Sequence, residues 1–570
     1  MLGRMLAGLL PLPGRSAASC YRRATAASER GDWAQAIDWY RRALAAESGH
    51  ADAHNDLGIA LCAVKDYLGA RAAFAQALAL RDEFVPAQVN LGQLLQSEFR
   101  DYQQAAVHFR AALAIDPGQG QARNNLALTL YERGLVGEAI ECLREARQRA
   151  PDDALAHEFM LFMSNALPQR DLEAWHAEHR LWGRRHADGL PRYAHSPTGA
   201  ARRLRIGYVS ADLREHATAA FIRPILARHD TEGFDIYCYS NSDEADAVTQ
   251  DMRQQAHCWR SIAGVDDARA AQLIHADAID ILVDLSGHTR GNRLGVFARK
   301  PAPVQVGYLG YLNTTGMVAM DYRITDAVAD PPGASDRLHS ETLLRLPQTL
   351  WCYQPPEDAP SVAPSPVQRN GYVTFGSFNH VAKLNDRVLD LWAALLRRLQ
   401  GSRLLLMALP DEETATRIRA ALNTRGVDAA RIRALPRLAR GEYWRMYGEV
   451  DIALDPFPYT GGATTCDSLW MGLPVVTLAG SFGFARSAAT VLTNAGLAEL
   501  VAADERQYLD IALQLASAVP VLAGMRGGMR ERLLRSPLLD APRFVAALEQ
   551  LYREAWQQWC AGRARLGQAC

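Results

Sequence analysis

A repeat of about 34 residues runs through the first 165 positions and restricts the fold more than any other feature. Ala36, Ala70, Ala105 and Ala139 recur in GDWAQAIDWY, KDYLGARAAF, RDYQQAAVHF and RGLVGEAIECL. Four residues after each alanine stands a large apolar residue: Tyr40, Phe74, Phe109 and Leu143. Leu57-Gly58, Leu91-Gly92 and Leu126-Ala127 mark the preceding segments, and Pro86, Pro117 and Pro151 fall near unit ends. A one-residue slip between the second and third units coincides with an extra residue in SEFRD. Small residues at one spacing and aromatics at another predict paired helices in close contact, stacked unit on unit.

This is the tetratricopeptide pattern, so 1–165 is expected to form an α-solenoid with a concave groove. Asp56, Asn90 and Asn125 occupy one position in consecutive units. A side-chain amide donates and accepts at once, so such a column can hold an extended polypeptide without reading its sequence. The same residues equally suit a solvated helix face.

Around residue 165 the period stops. Residues 166–202 predict a helical linker ending near Ser-Pro. From 203 the texture becomes short apolar runs separated by helical stretches: LRIGYVS, FDIYCYS, IDILVDLSG, VQVGYLGY and YRITDAVAD. A Pro-rich segment, CYQPPEDAPSVAPSPVQRNG, separates these from YVTFGSFN, RLLLMALP, RIRALP, DIALDPF and PVVTLAG. Near-continuous apolar strands alternating with helices predict parallel sheets covered on both faces. Two such lobes, 203–360 and 361–570 with closing helices, are expected to form a cleft beyond the strands' carboxyl ends. The 570 residues suit about three domains. A net charge of −1 gives no reason to expect nucleic-acid or membrane binding. Nine scattered cysteines without a C-x-x-C pair suggest neither disulfides nor a zinc site. The N-terminal MLGRMLAGLLPLPGRSAAS has a trace of a secretory signal, but Gly8 and Pro11 break its short apolar run. A cytoplasmic protein is expected.

Three strand-end loops carry the chemistry. In YTGGATTCDSLWMG, paired glycines let backbone approach a ligand, and Thr464 and Thr465 stand where helix N–H groups lack internal partners. Those donors and the helix dipole favour an anion such as a diphosphate, with Asp467 placed to accept from ribose hydroxyls. The same pattern also reads as a threonine capping box. Lys383 in FNHVAKLND can neutralise charge on a departing diphosphate, or be a surface lysine. His216 in SADLREHA can be a base, a donor to substrate or a helix-start residue. No D-x-D is present, so no metal site is expected.

These segments, with KPAPVQVGYLGYLNTTGMVAMDYRITD and DPFPYTGGATTCDSLWMGLPVVTLAGSFGFARSAA, resemble the O-GlcNAc transferase family in order and spacing. The similarity is greatest to bacterial members and plant SPINDLY-like relatives. It implies two Rossmann-like lobes of GT-B type and inverting transfer of N-acetylglucosamine from UDP-GlcNAc to Ser/Thr hydroxyls, with no metal or other cofactor. By this resemblance His216 is the active-site histidine, a contact to substrate or sugar, and Lys383 the essential lysine on the donor phosphates. Thr464, Thr465 and Asp467 form the diphosphate and ribose loop. Gly310 is a backbone contact near the sugar, and Tyr443 lies beside the nucleotide base. The polypeptide acceptor is expected in the repeat groove. His380 stands where animal members carry glutamine beside the phosphates, and the spacing from the threonines to Asp467 is one residue shorter. About four repeats replace the long animal superhelix, and the insert between lobes is missing. These departures resemble SPINDLY-like members, whose plant representatives use GDP-fucose. A GDP-sugar donor, or a repeat scaffold without turnover, are the alternative readings.

Overall fold

The computed structural model describes residues 16–168, 171–196, 199 and 201–562. Most of the signal-like N-terminal segment lies outside the described residues. The chain divides into two compact units, Met1–Pro151 and Asp152–Cys570.

The first unit is a stack of antiparallel helix pairs. Asp32, Asp66 and Asp101, spaced like the repeat, each open a second helix by accepting an N–H three residues on, from Gln35, Gly69 and Gln104. The Leu-Gly pairs meet the aromatics: a Cβ on Gly58 would lie within 2.8 Å of Phe74 ring atoms, and one on Gly92 would lie 2.7 Å from the Phe109 ring. The extra residue in SEFRD is absorbed by a π-helical turn, Leu95–Phe99, closed by Arg100 in the left-handed region. An inserted residue in a helix widens one turn, and the repeat resumes in register after it.

The second unit holds two parallel sheets. Strands β1 (Leu204–Ser210), β2 (Phe234–Ser240), β3 (Cys258–Ser261), β4 (Ile281–Asp284), β5 (Val304–Gly307), β6 (Tyr322–Asp326) and β7 (Thr342–Leu346) are ordered β3-β2-β1-β4-β5-β6-β7. Strands β8 (Thr374–Ser377), β9 (Arg403–Leu409), β10 (Ile432–Pro436), β11 (Ile452–Leu454), β12 (Val475–Leu478) and β13 (Val501–Ala502) are ordered β10-β9-β8-β11-β12-β13. In each sheet the strand order reverses once, between β1 and β4 and between β8 and β11, and such switch points create crevices at strand carboxyl ends. Strands β3, β7 and β13 had no sequence signal. All three are edge strands, and their half-exposed faces lack the continuous apolar run that marks a buried strand.

The lobes are tied together at several points. Tyr353, after β7, donates its hydroxyl to Asp467 at 2.6 Å. The closing helix, Ala541–Cys560, returns to the first sheet, where Tyr552 and Tyr208 hydroxyls lie 3.2 Å apart and Glu549 holds His229 at 2.8 Å. The last helix therefore packs against the lobe that comes first in sequence. Among the described residues, no single helix is long and apolar enough to cross a membrane.

Candidate active site

The site's floor is built from the two loops at the switch point of the second sheet. After β8, His380 caps a short 3-10 turn, Val381–Lys383, with Nδ1 accepting the Ala382 N–H at 3.2 Å. Asn385 then caps helix Asp386–Arg398, and its Nδ2 donates to the Phe457 carbonyl at 2.6 Å, binding this loop to the one after β11.

Lys383 Nζ donates to Asn379 Oδ1 and to the Thr460 carbonyl, both at 3.1 Å, and lies 4.1 Å above the Tyr459 ring. Burial lowers its pKa to about 8, against the pull of the Asp455 carboxylate. Thr464 Oγ1 donates to the same Asn379 oxygen at 3.2 Å. The lysine and the glycine-rich loop therefore converge on one atom.

The paired glycines have a steric reason. A Cβ on Gly461 would sit 2.5 Å from Thr464 Oγ1 and 2.7 Å from Thr465 Oγ1, and one on Gly462 would sit 3.0 Å from Ser487 Oγ and 3.1 Å from the Trp351 ring. Helix Ala463–Trp470 is capped by Gly462, with no side-chain cap. The threonine capping box does not form: Thr464 and Thr465 lie inside the first turn, and Asp467 lies beyond it. Among the described residues, the Ala463 and Thr464 amides have no protein acceptor. Ser377 Oγ and Thr465 Oγ1 are buried without a hydrogen-bond partner, in a recess they share with Asn379, Asp455 and Ser468. Unsatisfied buried hydroxyls are uncommon in folded proteins. Here they accompany an open helix N-terminus and a lysine, an arrangement that attracts an anion.

Asp467 accepts from Tyr353, and burial raises its pKa to about 6 while that hydrogen bond and Arg440 lower it. Tyr443 shares a 2.7 Å hydroxyl hydrogen bond with Tyr447, which stacks on Phe378 with centroids 3.9 Å apart. Tyr443 stands edge-on to this stacked pair, at 87–88° to both rings.

The first lobe supplies His216 and Gly310. His216, on the loop after β1, is exposed, and its Nδ1 accepts the Thr218 N–H at 3.3 Å, so the neutral ring carries its proton on Nε2. Helix Ala219–Leu226 follows, and its Phe221 packs on Trp351 and Tyr353 at 4.7 and 5.7 Å. Trp351 in turn abuts Gly462, so the His216 loop reaches the glycine loop through two aromatic rings. At the rim, Glu215 pairs with Arg440. Gly310, on the loop after β5, packs against the Leu285 carbonyl, where a Cβ has no room. Its neighbour Tyr311 meets Phe484 edge-on, and Phe484 meets Tyr459 beneath Lys383. Among the described residues, no group of three or more His, Cys, Asp or Glu is placed to hold a metal ion.

Sequence reasoning missed Asn379, Asp455 and Tyr353. Asn379 lies in FNHVAKLND beside the more conspicuous His380 and Lys383. Asp455 was read as part of a strand; an acid ending an apolar run was the available signal. In the repeats, Asp56 accepts the Tyr21 hydroxyl at 2.6 Å and the Asn55 amide at 3.1 Å, and Asn90 donates to Asn55 at 2.9 Å. Asn125 engages Gln96 and Thr129 through its carbonyl. Asp56 and Asn90 thus brace successive units, and Asn90 keeps part of its amide capacity.

Tetratricopeptide models match residues 21–83 and 94–160, and the model described as glycosyl transferase family 41 matches 147–354 and 368–548. The protein named probable UDP-N-acetylglucosamine--peptide N-acetylglucosaminyltransferase SPINDLY of Solanum lycopersicum is 40% identical over 421 residues, 72% of this chain and 45% of that one. The Oryza sativa subsp. japonica protein of the same name is 38% identical over 434 residues, 75% and 47% of the two chains. The Arabidopsis thaliana relative named SEC is 28% identical over 392 residues, 66% and 40% of the two chains. The chain thus spans about half the length of the curated relatives it matches. The solved structure of a lysine-to-methionine mutant of Thermobaculum terrenum O-GlcNAc transferase superposes with a TM-score of 0.85 at 38% identity, covering 90% of this chain and 98% of that one. A repeat array followed by two switch-point crevices, with the family match across both lobes, leads to one assignment: this chain belongs to glycosyl transferase family 41.

Proposed function

We propose that the protein is an inverting, metal-independent O-glycosyltransferase that moves N-acetylglucosamine from UDP-GlcNAc to serine or threonine of a polypeptide. One observation carries this reading: Lys383 Nζ and Thr464 Oγ1 converge on Asn379 Oδ1, beside a helix N-terminus with free amides. That grouping suits a diphosphate whose negative charge grows as the sugar departs, a stabilisation strongest in the transition state. The acceptor hydroxyl oxygen forms a bond to the sugar's anomeric carbon as the carbon–oxygen bond to the diphosphate breaks; the nucleoside diphosphate leaves with the electron pair, and the hydroxyl proton passes to a phosphate oxygen of the departing group or to solvent. Asp467 orients the ribose, Tyr443 and the stacked Phe378 and Tyr447 flank the base, and His380 lies beside the phosphates. His216 and Gly310 face the sugar and acceptor. The repeat array holds the polypeptide, with Asp56, Asn90 and Asn125 as its polar column. The protein works in the cytoplasm.

The experiment is transfer of radiolabelled sugar to lysate proteins, in wild type and in Lys383→Met. Transfer from UDP-GlcNAc that the substitution abolishes is the expected result. No transfer from any nucleotide sugar by the wild-type chain rejects the enzyme and favours a scaffold. A second reading changes the donor to a GDP-sugar such as GDP-fucose. His380 and the shorter spacing from the threonines to Asp467, the departures that resemble SPINDLY-like members, favour it. Melting-temperature titration separates the two, since the nucleotide that binds the native state raises the transition by mass action.

A further inference from the structure

Asp455 ends the second lobe's central strand, beneath the glycine loop, and is only 1% exposed. Its Oδ1 accepts the Gly461 N–H at 2.8 Å and Asn379 Nδ2 at 3.2 Å, and its Oδ2 accepts the Thr477 hydroxyl at 2.7 Å. An ionised carboxylate only accepts, so it selects the NH2 end of the Asn379 amide. The carbonyl end must then face Lys383 and Thr464, both of which donate to it. In the flipped amide, NH2 would oppose an ammonium and a hydroxyl donor while a carbonyl oxygen opposed a carboxylate. We infer that Asp455 is a positioning residue for the diphosphate groups: it orients Asn379 so that one oxygen gathers Lys383 and Thr464, and it anchors the first amide of the glycine loop.

This inference rests on the nucleotide-sugar reading of the site. The carboxylate also acts through space, favouring the protonated form of Lys383 against burial. The other titratable groups around the pair are Tyr459 beneath the ammonium, Tyr508, whose hydroxyl donates to the Asp455 carbonyl, and His380 on the lysine's own turn. Burial raises both tyrosines, so they stay neutral up to pH 9.5.

The test is calorimetric titration of the full chain with UDP and with GDP, from pH 7 to 9.5. Within that range the terminal phosphate stays ionised. Wild type should lose affinity above about pH 8, as Lys383 gives up its proton. Asp455→Asn can keep Asn379 and Gly461 on its oxygen and turn its NH2 to Thr477, so it removes charge while preserving geometry. Its alkaline midpoint should fall by roughly half a unit or more. Asp455→Ala frees the Asn379 amide, and affinity should fall about tenfold even at pH 7. If Asp455→Ala does not fold, Asp455→Asn decides alone. Asp455→Ala affinity equal to that of wild type at pH 7, or an unmoved Asp455→Asn midpoint where Asp455→Ala does not fold, overturns the inference and leaves the nucleotide-sugar reading intact. A wild-type chain that binds neither nucleotide overturns both.

Discussion

The Tyr353 hydroxyl donates to Asp467 at 2.6 Å, joining the segment that leaves the first lobe to the helix that opens on the glycine loop of the second. The bond favours the ionised carboxyl, while burial pushes that group up to about 6. In Tyr353→Phe the carboxyl loses a donor, so its pKa rises further. On the proposed function, Asp467 holds the ribose hydroxyls best as a carboxylate, so donor binding should fail at higher pH than in wild type. The KM for the nucleotide sugar, measured from pH 5.5 to 7.5, should show the acid limb moved upward from about 6, with a smaller change at pH 7.5. An unmoved limb would detach Asp467 from donor binding.

Gly461→Ala separates function from fold. The new Cβ would meet Thr464 Oγ1 at 2.5 Å and Thr465 Oγ1 at 2.7 Å. Both are ends of rotatable side chains that can swing away, while Asp455 Oδ1, 3.0 Å from the new Cβ, must give by a few tenths of an ångström. Stability should fall by only about 1–3 kcal/mol. The donor groups themselves move, so nucleotide affinity should drop about tenfold or more. Melting curves with and without nucleotide measure both effects in one experiment.

The same loop shows how far the sequence was legible. The glycines, threonines, lysine and strand-end placement were visible because each is a local signal of composition and spacing. The atom that unites them was not. Asn379 and Thr464 are 85 residues apart, and their bond exists only because β8 and β11 are neighbours in the sheet. Threonine followed by an acid also supported a capping box, but the helix opens at Gly462, which is crowded by Ser487 and Trp351, side chains distant in sequence. The repeats were the most legible part, since their contacts join residues about one repeat apart or closer. Edge strands β3, β7 and β13 were the least, because little apolar burial marks them.

A buried ion pair in the first lobe gives a stability test. Asp330 accepts from Arg323 at 2.7 Å, Thr325 at 2.6 Å and Ser335 at 3.1 Å, and both charged side chains are nearly inaccessible. Burial raises the Asp330 carboxyl, but Arg323 and the hydrogen bonds prevail and hold it well below the usual carboxylate range. A depressed folded pKa contributes stability that is present above the unfolded value near 4 and is lost as pH falls below it. Asp330→Ala should destabilise by about 3–5 kcal/mol by leaving Arg323 buried without its partner. The deficit should shrink as pH is lowered from 7 toward 3 in denaturant titrations. A deficit constant with pH would mean that packing, not charge, holds this corner.

The repeat array makes a prediction that depends on a pair of residues. Gly92 lies against Phe109 so closely that a Cβ would sit 2.7 Å from the ring, and Phe109 is fully buried. Gly92→Ala should therefore cost about 1–3 kcal/mol, more than the gain in helix propensity from replacing glycine returns. Phe109→Leu alone should also destabilise, by removing buried ring atoms. Combined, the smaller leucine gives the new methyl room, so the double variant should be more stable than the sum of the two losses implies. A coupling of about 0.5–3 kcal/mol is expected for residues in contact. Thermal unfolding of the four chains measures it. Strict additivity would mean that the contact does not set the spacing of the helices, and the small-residue reading of the Leu-Gly pairs would have to be abandoned.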